Sequence, residues 1–143
     1  MTDWQSDLGK FFEKTDETKQ QEEKLEMDGF VSNVVMPAFN AIEMELAQYG
    51  RYVNIRDTGT SAAITVFHKD GEEELMYRVQ GRTFPNGVLP YAEIRFRERK
   101  GHRLLTVEAM FRTGNQGYLL ADITKDEVIQ HFISHYTKRV QQQ

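Results

Sequence analysis

The feature that most constrains the fold is a set of three short turn sequences in the middle of the chain. They lie at residues 57–60, 69–72 and 99–102, and each combines glycine with polar neighbours between stretches of alternating polarity. Such sequences are typical of β-hairpins. A slip of one residue would move every apolar side chain to the opposite face of the sheet, so strand pairing around the turns tests the assignment.

All three hairpins place apolar side chains opposite each other on one common face. The sequence therefore predicts an antiparallel meander, with residues 82–90 as a loop between the third and fourth strands and residues 118–121 as a short sixth strand. The expected pairs are Val53 with Ile64 and Ile55 with Ala62 around the first turn; Val66 with Leu75, Ile64 with Tyr77 and Ala62 with Val79 around the second; and Phe96 with Leu105, Ile94 with Val107 and Ala92 with Ala109 around the third.

An amphipathic helix is predicted before the meander. Apolar residues recur at steps of three and four between Phe30 and Tyr49, and Gly50 supplies a common helix stop. Pro37 lies inside this pattern. Because proline cannot donate the helical hydrogen bond, we expect a kink or a break near Met36.

A second amphipathic helix is predicted after the meander. Thr124 and Glu127 have the spacing of a capping box, and an apolar stripe extends from Val128 to Val140. The predicted fold class is therefore α+β, a two-layer domain. Its antiparallel five- to six-stranded meander sheet carries a kinked N-terminal helix and a C-terminal helix packed on one face.

The N-terminal part of the chain differs from the rest. Residues 13–24 contain no apolar side chain, so they form either a solvated helix or a flexible leash. We divide the chain into a polar N-terminal extension with a short amphipathic segment, residues 1–28, and a single α+β domain, residues 29–143. The apolar residues of the amphipathic segment have helical spacing and are Trp4, Leu8, Phe11 and Phe12.

Two interpretations of this amphipathic segment remain open. It can anchor in a groove of a partner, with Trp4 as the hot spot. Alternatively, it folds back onto its own domain or onto a neighbouring copy and covers the outer face of the sheet. Either way, large apolar side chains are costly to leave in water and should be covered.

Composition excludes several classes of site. The 143 residues include no cysteine, which removes disulfides, thiolate zinc sites and cysteine nucleophiles and is compatible with a reducing compartment. The first residues show neither a basic flank nor an apolar run, so we expect a cytoplasmic protein without a membrane segment. The net charge of −4 is uneven, with 4 basic and 11 acidic residues in the first 50 positions.

The outer face of the predicted sheet is the second surface without an assigned role. Three interpretations of this face remain open. It is a solvated face in which Arg95 pairs with Glu93 and Glu108. Alternatively, it is a dimer interface, or a site for nucleic acid or another anion. The predicted binding residues of this face are Tyr52, Arg56, Phe67, Arg78, Arg95 and Arg97, to which the amphipathic segment adds Trp4, Leu8 and Phe12.

Two motifs resemble catalytic or metal-binding patterns. Residues 57–60 resemble the short sequence around the catalytic aspartate of aspartic proteases, but Asn54 and Arg56 stand where that family has apolar residues, so we interpret them as a turn. His131 and His135 are four residues apart and could approach one metal ion, although no third ligand is evident. We therefore predict no catalytic residue, no cofactor and no metal.

The sequence favours a small non-enzymatic protein-interaction or regulatory domain that self-associates as a homodimer or binds a protein partner. One alternative is a module that binds RNA or single-stranded nucleic acid through the arginines of the outer sheet face. Another is a small-ligand or enzymatic pocket between the helices and the sheet.

Overall fold

The computed structural model describes residues 4–85, 87–97, 103–112 and 117–140. The predicted third turn, at residues 99–102, and the side chain of Phe11 lie outside the described residues. None of the helices in the described ranges is both long enough and apolar enough to cross a membrane. In chain order the elements are α1 Trp4–Phe30, a π-helical turn Val31–Val35, α2 Met36–Ala47, β1 Tyr52–Asp57, β2 Ala62–Phe67, β3 Glu73–Phe84, β4 Gly87–Arg97, β5 Leu104–Met110, a 3-10 helix Leu120–Asp122 and α3 Lys125–Val140.

The five strands form one antiparallel sheet in the order β1-β2-β3-β4-β5, which is a meander. The end of α1, together with α2 and α3, packs on its apolar face, and the predicted α+β class is confirmed. The largest fully buried side chains in this core include Tyr77, Phe39 and Phe132. A two-layer arrangement follows because a sheet with one apolar face needs a single covering layer.

The register of the second and third hairpins is confirmed at every predicted pair. The register predicted for the first hairpin is wrong by two residues, since Ile55 pairs with Ile64 and Val53 with Val66. The backbone N–H of Thr58 donates to the carbonyl of Ser61 at 3.0 Å, so the four-residue turn is 58–61, one residue later than the predicted turn 57–60. Because the shift is even, the apolar face is unchanged.

The predicted loop at residues 82–90 is wrong, because β3 continues to Phe84 and β4 begins at Gly87. Pro90 is accommodated within β4 because its carbonyl accepts a hydrogen bond from the Tyr118 hydroxyl at 2.7 Å. In an antiparallel strand the nitrogen of a residue points to the same side as its carbonyl, so Pro90 removes no hydrogen bond to β3.

The predicted sixth strand at residues 118–121 is also wrong. Its place is taken by the short 3-10 helix, in which the Asp122 carboxylate accepts a hydrogen bond from the Leu119 N–H at 2.8 Å. The Tyr118 side chain bridges Pro90 and Phe111, since its hydroxyl also accepts a hydrogen bond from the Phe111 N–H at 2.8 Å. These bonds satisfy the local polar groups without a strand ladder.

The helix before the meander is longer than its apolar stripe predicted and starts at Trp4. The π-helical turn lies immediately before Pro37, and the N–H of Met36 donates to the carbonyl of Val31, five residues back. The break expected near Met36 therefore takes the form of a widened turn. A proline in a regular α-helix clashes with the preceding turn, and the wider π turn relieves that clash.

The helices α1 and α2 cross the sheet from one end to the other. At one end, a side chain at Gly81 of β3 would meet the Met27 sulfur at 2.8 Å, and at the other end Lys69 lies against Gly50. Residues 4–10, 12 and 20–22 of α1 are exposed. Gln20 lies beside Thr60 and Thr83, and the part of α1 from Trp4 to Gln20 that projects from there is about 24 Å long at 1.5 Å per residue.

Candidate interaction surfaces

Three apolar side chains form a stripe on the projecting part of α1, and we call Trp4, Leu8 and Phe12 the tail stripe. Their exposed fractions are 66%, 49% and 56%. Steps of four residues place them on one side of the helix. The interpretation in which this segment folds back over the outer face of its own sheet is wrong for the single chain, because the segment belongs to the continuous helix α1 and these side chains are exposed. The stripe is therefore a largely exposed apolar surface of the single chain.

The outer sheet face is held by ion pairs. Arg95 donates to both carboxylate oxygens of Glu73, at 2.8 Å and 2.6 Å, and Arg97 donates to the Glu73 carbonyl at 3.3 Å. The hydrogen bond with Glu73 raises the pKa of Arg95. The predicted pairing of Arg95 with Glu93 and Glu108 is wrong. A β-bulge at the start of β3 turns Glu73 to the outer face and brings it to Arg95.

The other glutamates of this face pair with different arginines. Arg82 lies 3.1 Å from Glu108 and also stacks over the Tyr91 ring at 4.5 Å. Arg78 lies 3.9 Å from Glu93. A phosphate on this face would compete with these carboxylates for the guanidinium donors. The ion pairs therefore weigh against the nucleic-acid alternative.

The aromatic residues predicted for the outer face lie at one edge. Tyr52 is 67% exposed on the edge strand β1 and is paired with Phe67, which is half-buried. Arg56 is exposed on the same strand. Met76, in the middle of the sheet, is only 5% exposed. The structure thus brings Tyr52 and Phe67 together but separates them from Arg95 and Arg97 in β4.

A groove of about 870 Å³ opens between α2 and α3, and we call it the α2–α3 groove. It lies at the end of the sheet opposite to the projecting part of α1, beside Gly50 and Lys69. An apolar groove between two helices is a common binding site for a ligand or an amphipathic helix. Its apolar walls are formed by Ile42, Leu46, Ile129, Phe132 and Ile133.

Arg51 and Tyr136, which line the polar end of this groove, are both bound to the buried carboxylate of Glu74. The Glu74 carboxylate, 5% exposed, accepts hydrogen bonds from Arg51 at 3.0 and 3.3 Å and from the Tyr136 hydroxyl at 2.7 Å. Burial raises the pKa of Tyr136 to about 12, and the hydrogen bond to Glu74 makes a smaller contribution in the same direction. The three groups satisfy one another and pin α3 to the sheet, so this cluster is structural.

The two histidines of α3 lie side by side with ring centres 4.6 Å apart. His131 Nε2 lies 3.0 Å from the Met110 carbonyl, which can only accept, so Nε2 carries the proton and Nδ1 accepts from the Tyr77 hydroxyl at 2.7 Å. Burial, aided by the charge of His135, lowers the pKa of His131 to about 4. A metal ion at His131 would have to break one of these bonds. Within the described ranges, no three histidine, aspartate or glutamate side chains are grouped to hold a metal.

Sequence reasoning missed both the α2–α3 groove and the Glu74 cluster. Glu74 is the extra residue of the β-bulge, where Val66 pairs with Leu75 and Phe67 with Glu73. Strict alternation from Leu75 would place Glu74 on the outer face. The only available signal was the run of three glutamates, residues 72–74, that follows the turn at Gly71.

Comparison with known proteins gives one distant similarity. The chain is 25% identical over 117 residues to a glycine betaine transporter of Acinetobacter baylyi. The aligned region covers 82% of this chain but only 17% of the transporter, so the chain corresponds to a small part of that protein. No family model matches the chain, and no solved structure matches it at a significant level.

Proposed function

We propose that this chain is a non-enzymatic protein-interaction domain that associates with a second copy of itself through the tail stripe. The observation that carries the proposal is the exposure of Trp4, Leu8 and Phe12 on one side of a projecting helix. Each such side chain contributes about 1.5–3 kcal/mol when it is fully buried. Association would recover much of that free energy.

The polar clusters of the domain support an interaction role over an enzymatic one. Glu74 and His131 are the groups whose burial would be useful in catalysis, but both are engaged by fixed hydrogen bonds within the fold. A general acid or base must reach a substrate proton, and these bonds would have to break first.

The similarity to the transporter contributes little to the proposal. The shared segment is 17% of that protein, and we do not propose transport of glycine betaine for this chain. The similarity is compatible with an interaction domain that also occurs within a longer protein.

The test is the molar mass of the full chain by light scattering over a range of concentrations. We expect a dimer for the wild type and a monomer for the triple variant Trp4→Ala, Leu8→Ala, Phe12→Ala. The matched control is Gln5→Ala with Ser6→Ala, which changes exposed polar side chains of the same segment and should remain a dimer. A wild type that is monomeric at every concentration would overturn the proposal.

A further inference from the structure

We infer that the tail stripe of one copy occupies the α2–α3 groove of a second copy, and that two copies do this reciprocally. This inference rests on the proposed self-association and names the surface that receives the tail stripe. An apolar stripe with steps of four residues and a groove between two helices are the two halves of the helix-in-groove mode of recognition.

A second copy is required because the tail stripe cannot reach the groove of its own chain. The part of α1 from Trp4 to Gln20 projects from the end of the sheet where Met27 lies against Gly81 and Gln20 lies beside Thr83. The groove lies at the opposite end, beside Lys69. A continuous helix does not fold back on itself, so the two surfaces of one chain remain apart.

The spacing of the two surfaces suits a two-fold dimer. Leu8 of the tail stripe and Glu45 of the groove are joined by α1, the π turn and α2, which together form one helical rod. At 1.5 Å per residue they are about 55 Å apart along that rod. When two rods lie antiparallel, the tail stripe of each copy meets the groove of the other. A two-fold axis makes both contacts identical and closes the assembly at two copies.

The area to be buried also favours the reciprocal arrangement. The exposed parts of the three stripe side chains amount to roughly 300 Å² in all, given about 150–250 Å² for a whole aromatic side chain. A groove that covers them loses a similar area, so two contacts bury about 1,200 Å², the lower limit for a specific interface. Packing one tail stripe against another would bury about half of that, an area typical of non-specific contacts.

The polar residues beside the two surfaces are complementary in type. Asp7 and Lys10 lie within the segment that carries the tail stripe, and Glu45 and Lys69 line the groove. The groove is also lined by Arg51, which is bound to Glu74, so each surface presents one acidic side chain and at least one basic side chain beside its apolar centre. Charges at such a rim favour one orientation of the helix over the reverse.

The chain has no cysteine, so disulfide cross-linking can test the contact without background. We would mix the full-length variants Leu8→Cys and Ile133→Cys and oxidise them. Ile133 lines the groove and is 43% exposed. We expect a mixed disulfide in at least several-fold excess over that formed by Leu8→Cys with Met44→Cys, because Met44 is 73% exposed on α2 but does not line the groove. A disulfide requires Cα atoms within about 7 Å.

A second measurement uses a charge in the groove. Ile133→Glu should raise the dimer dissociation constant at least tenfold, whereas Met44→Glu should leave it unchanged, with circular dichroism confirming that both variants are folded. A dimeric wild type that cross-links only through Leu8→Cys to itself, or that is unaffected by Ile133→Glu, would overturn the groove inference and leave the proposed self-association intact. A monomeric wild type would overturn both.

Discussion

At the scale of single residues, the buried polar groups connect the helical layer to the sheet. The Glu74 carboxylate joins Arg51, which follows α2, to Tyr136 of α3. The Arg51 side chain is 22% exposed, so it keeps some access to water if its partner is removed. Loss of the carboxylate nevertheless leaves a partly buried guanidinium and a buried hydroxyl without their acceptor.

We therefore predict that Glu74→Ala lowers the free energy of unfolding by about 2–3 kcal/mol, since removing one partner of a buried pair is more costly than removing a surface charge. Urea denaturation of the full chain would measure the change. The control is Glu43→Ala, at an exposed position of α2, for which we expect a change within about 0.5 kcal/mol. Equal stability of the two variants would contradict a structural role for the Glu74 cluster.

His131 gives a prediction about pH. Burial lowers the pKa of His131 from its ordinary value near 6.5 to about 4 in the folded state. Between these two values the unfolded chain binds a proton that the folded chain does not. The contribution of neutral His131 to the free energy of unfolding is therefore fully present above about pH 6.5 and is lost as the pH falls towards 4. With allowance for the partial exposure of His131, the loss should reach about 2 kcal/mol.

The measurement is the free energy of urea unfolding at pH 7.5 and at pH 5 for the wild type and for His131→Gln. The variant should show a smaller difference between the two pH values, because its side chain does not titrate. His68→Gln, in an exposed turn, should retain the difference of the wild type. An undiminished difference in His131→Gln would mean that other groups account for the acid sensitivity.

At the scale of elements, the packing of α1 on the sheet depends on Gly81, which has no side chain. A Cβ atom added at Gly81 would lie 2.7 Å from a methyl group of Val88 and 2.8 Å from the Met27 sulfur. Gly81 thus allows the end of α1 to approach β3 closely. This contact fixes the direction in which the rest of α1 leaves the domain.

We predict that Gly81→Ala destabilises the fold by about 1–2 kcal/mol through overpacking against Met27 and Val88. Thermal and urea unfolding would measure it. Gly117→Ala is the matched control, because nothing lies within 4 Å of the added methyl group there. If Gly81→Ala were as stable as Gly117→Ala, the close contact between Gly81 and Met27 would not be needed for α1 to pack on the sheet.

At the scale of the whole molecule, the single tryptophan reports on association. Trp4 is the only tryptophan of the chain and belongs to the tail stripe, where it is 66% exposed. We predict that its emission maximum moves to shorter wavelength as the protein concentration increases, since the indole leaves water when the dimer forms. The Gln5→Ala, Ser6→Ala variant should show the same shift, whereas Ile133→Glu should reduce it. Emission typical of a solvated indole at all concentrations would contradict association through the tail stripe.

The sequence was a reliable guide wherever a periodic pattern decided the structure. The parity of the strands followed from alternation, because a slip of one residue would turn every apolar side chain to the other face. The register of two hairpins followed when the position of the turn was also predicted correctly. The helices followed from stripes with steps of three and four residues. The tail stripe was also visible, since Trp4, Leu8 and Phe12 are large apolar residues next to a segment without any.

The features that the sequence pattern did not predict lie where the regular alternation of the strands is interrupted. The bulge at Glu74 reverses the alternation for one residue, so Glu73 faces Arg95 and Glu74 enters the helical layer. The β3–β4 turn contradicted the loop that Pro85 and Pro90 predicted, because the nitrogen of Pro90 points away from β3. Such exceptions depend on which neighbour each backbone group faces, and that is a three-dimensional property.

The sequence by itself determined the meander, its apolar face and the composition of the tail stripe, because these depend on the order of apolar and polar residues along the chain. Only the tertiary structure decided that α1 is a continuous helix whose first turns are exposed and that a groove opens between α2 and α3. It also decided that Arg78, Arg82 and Arg95 of the outer face are paired with glutamates. These properties depend on distances between residues far apart in the chain. A pattern of neighbours along the chain does not record such distances.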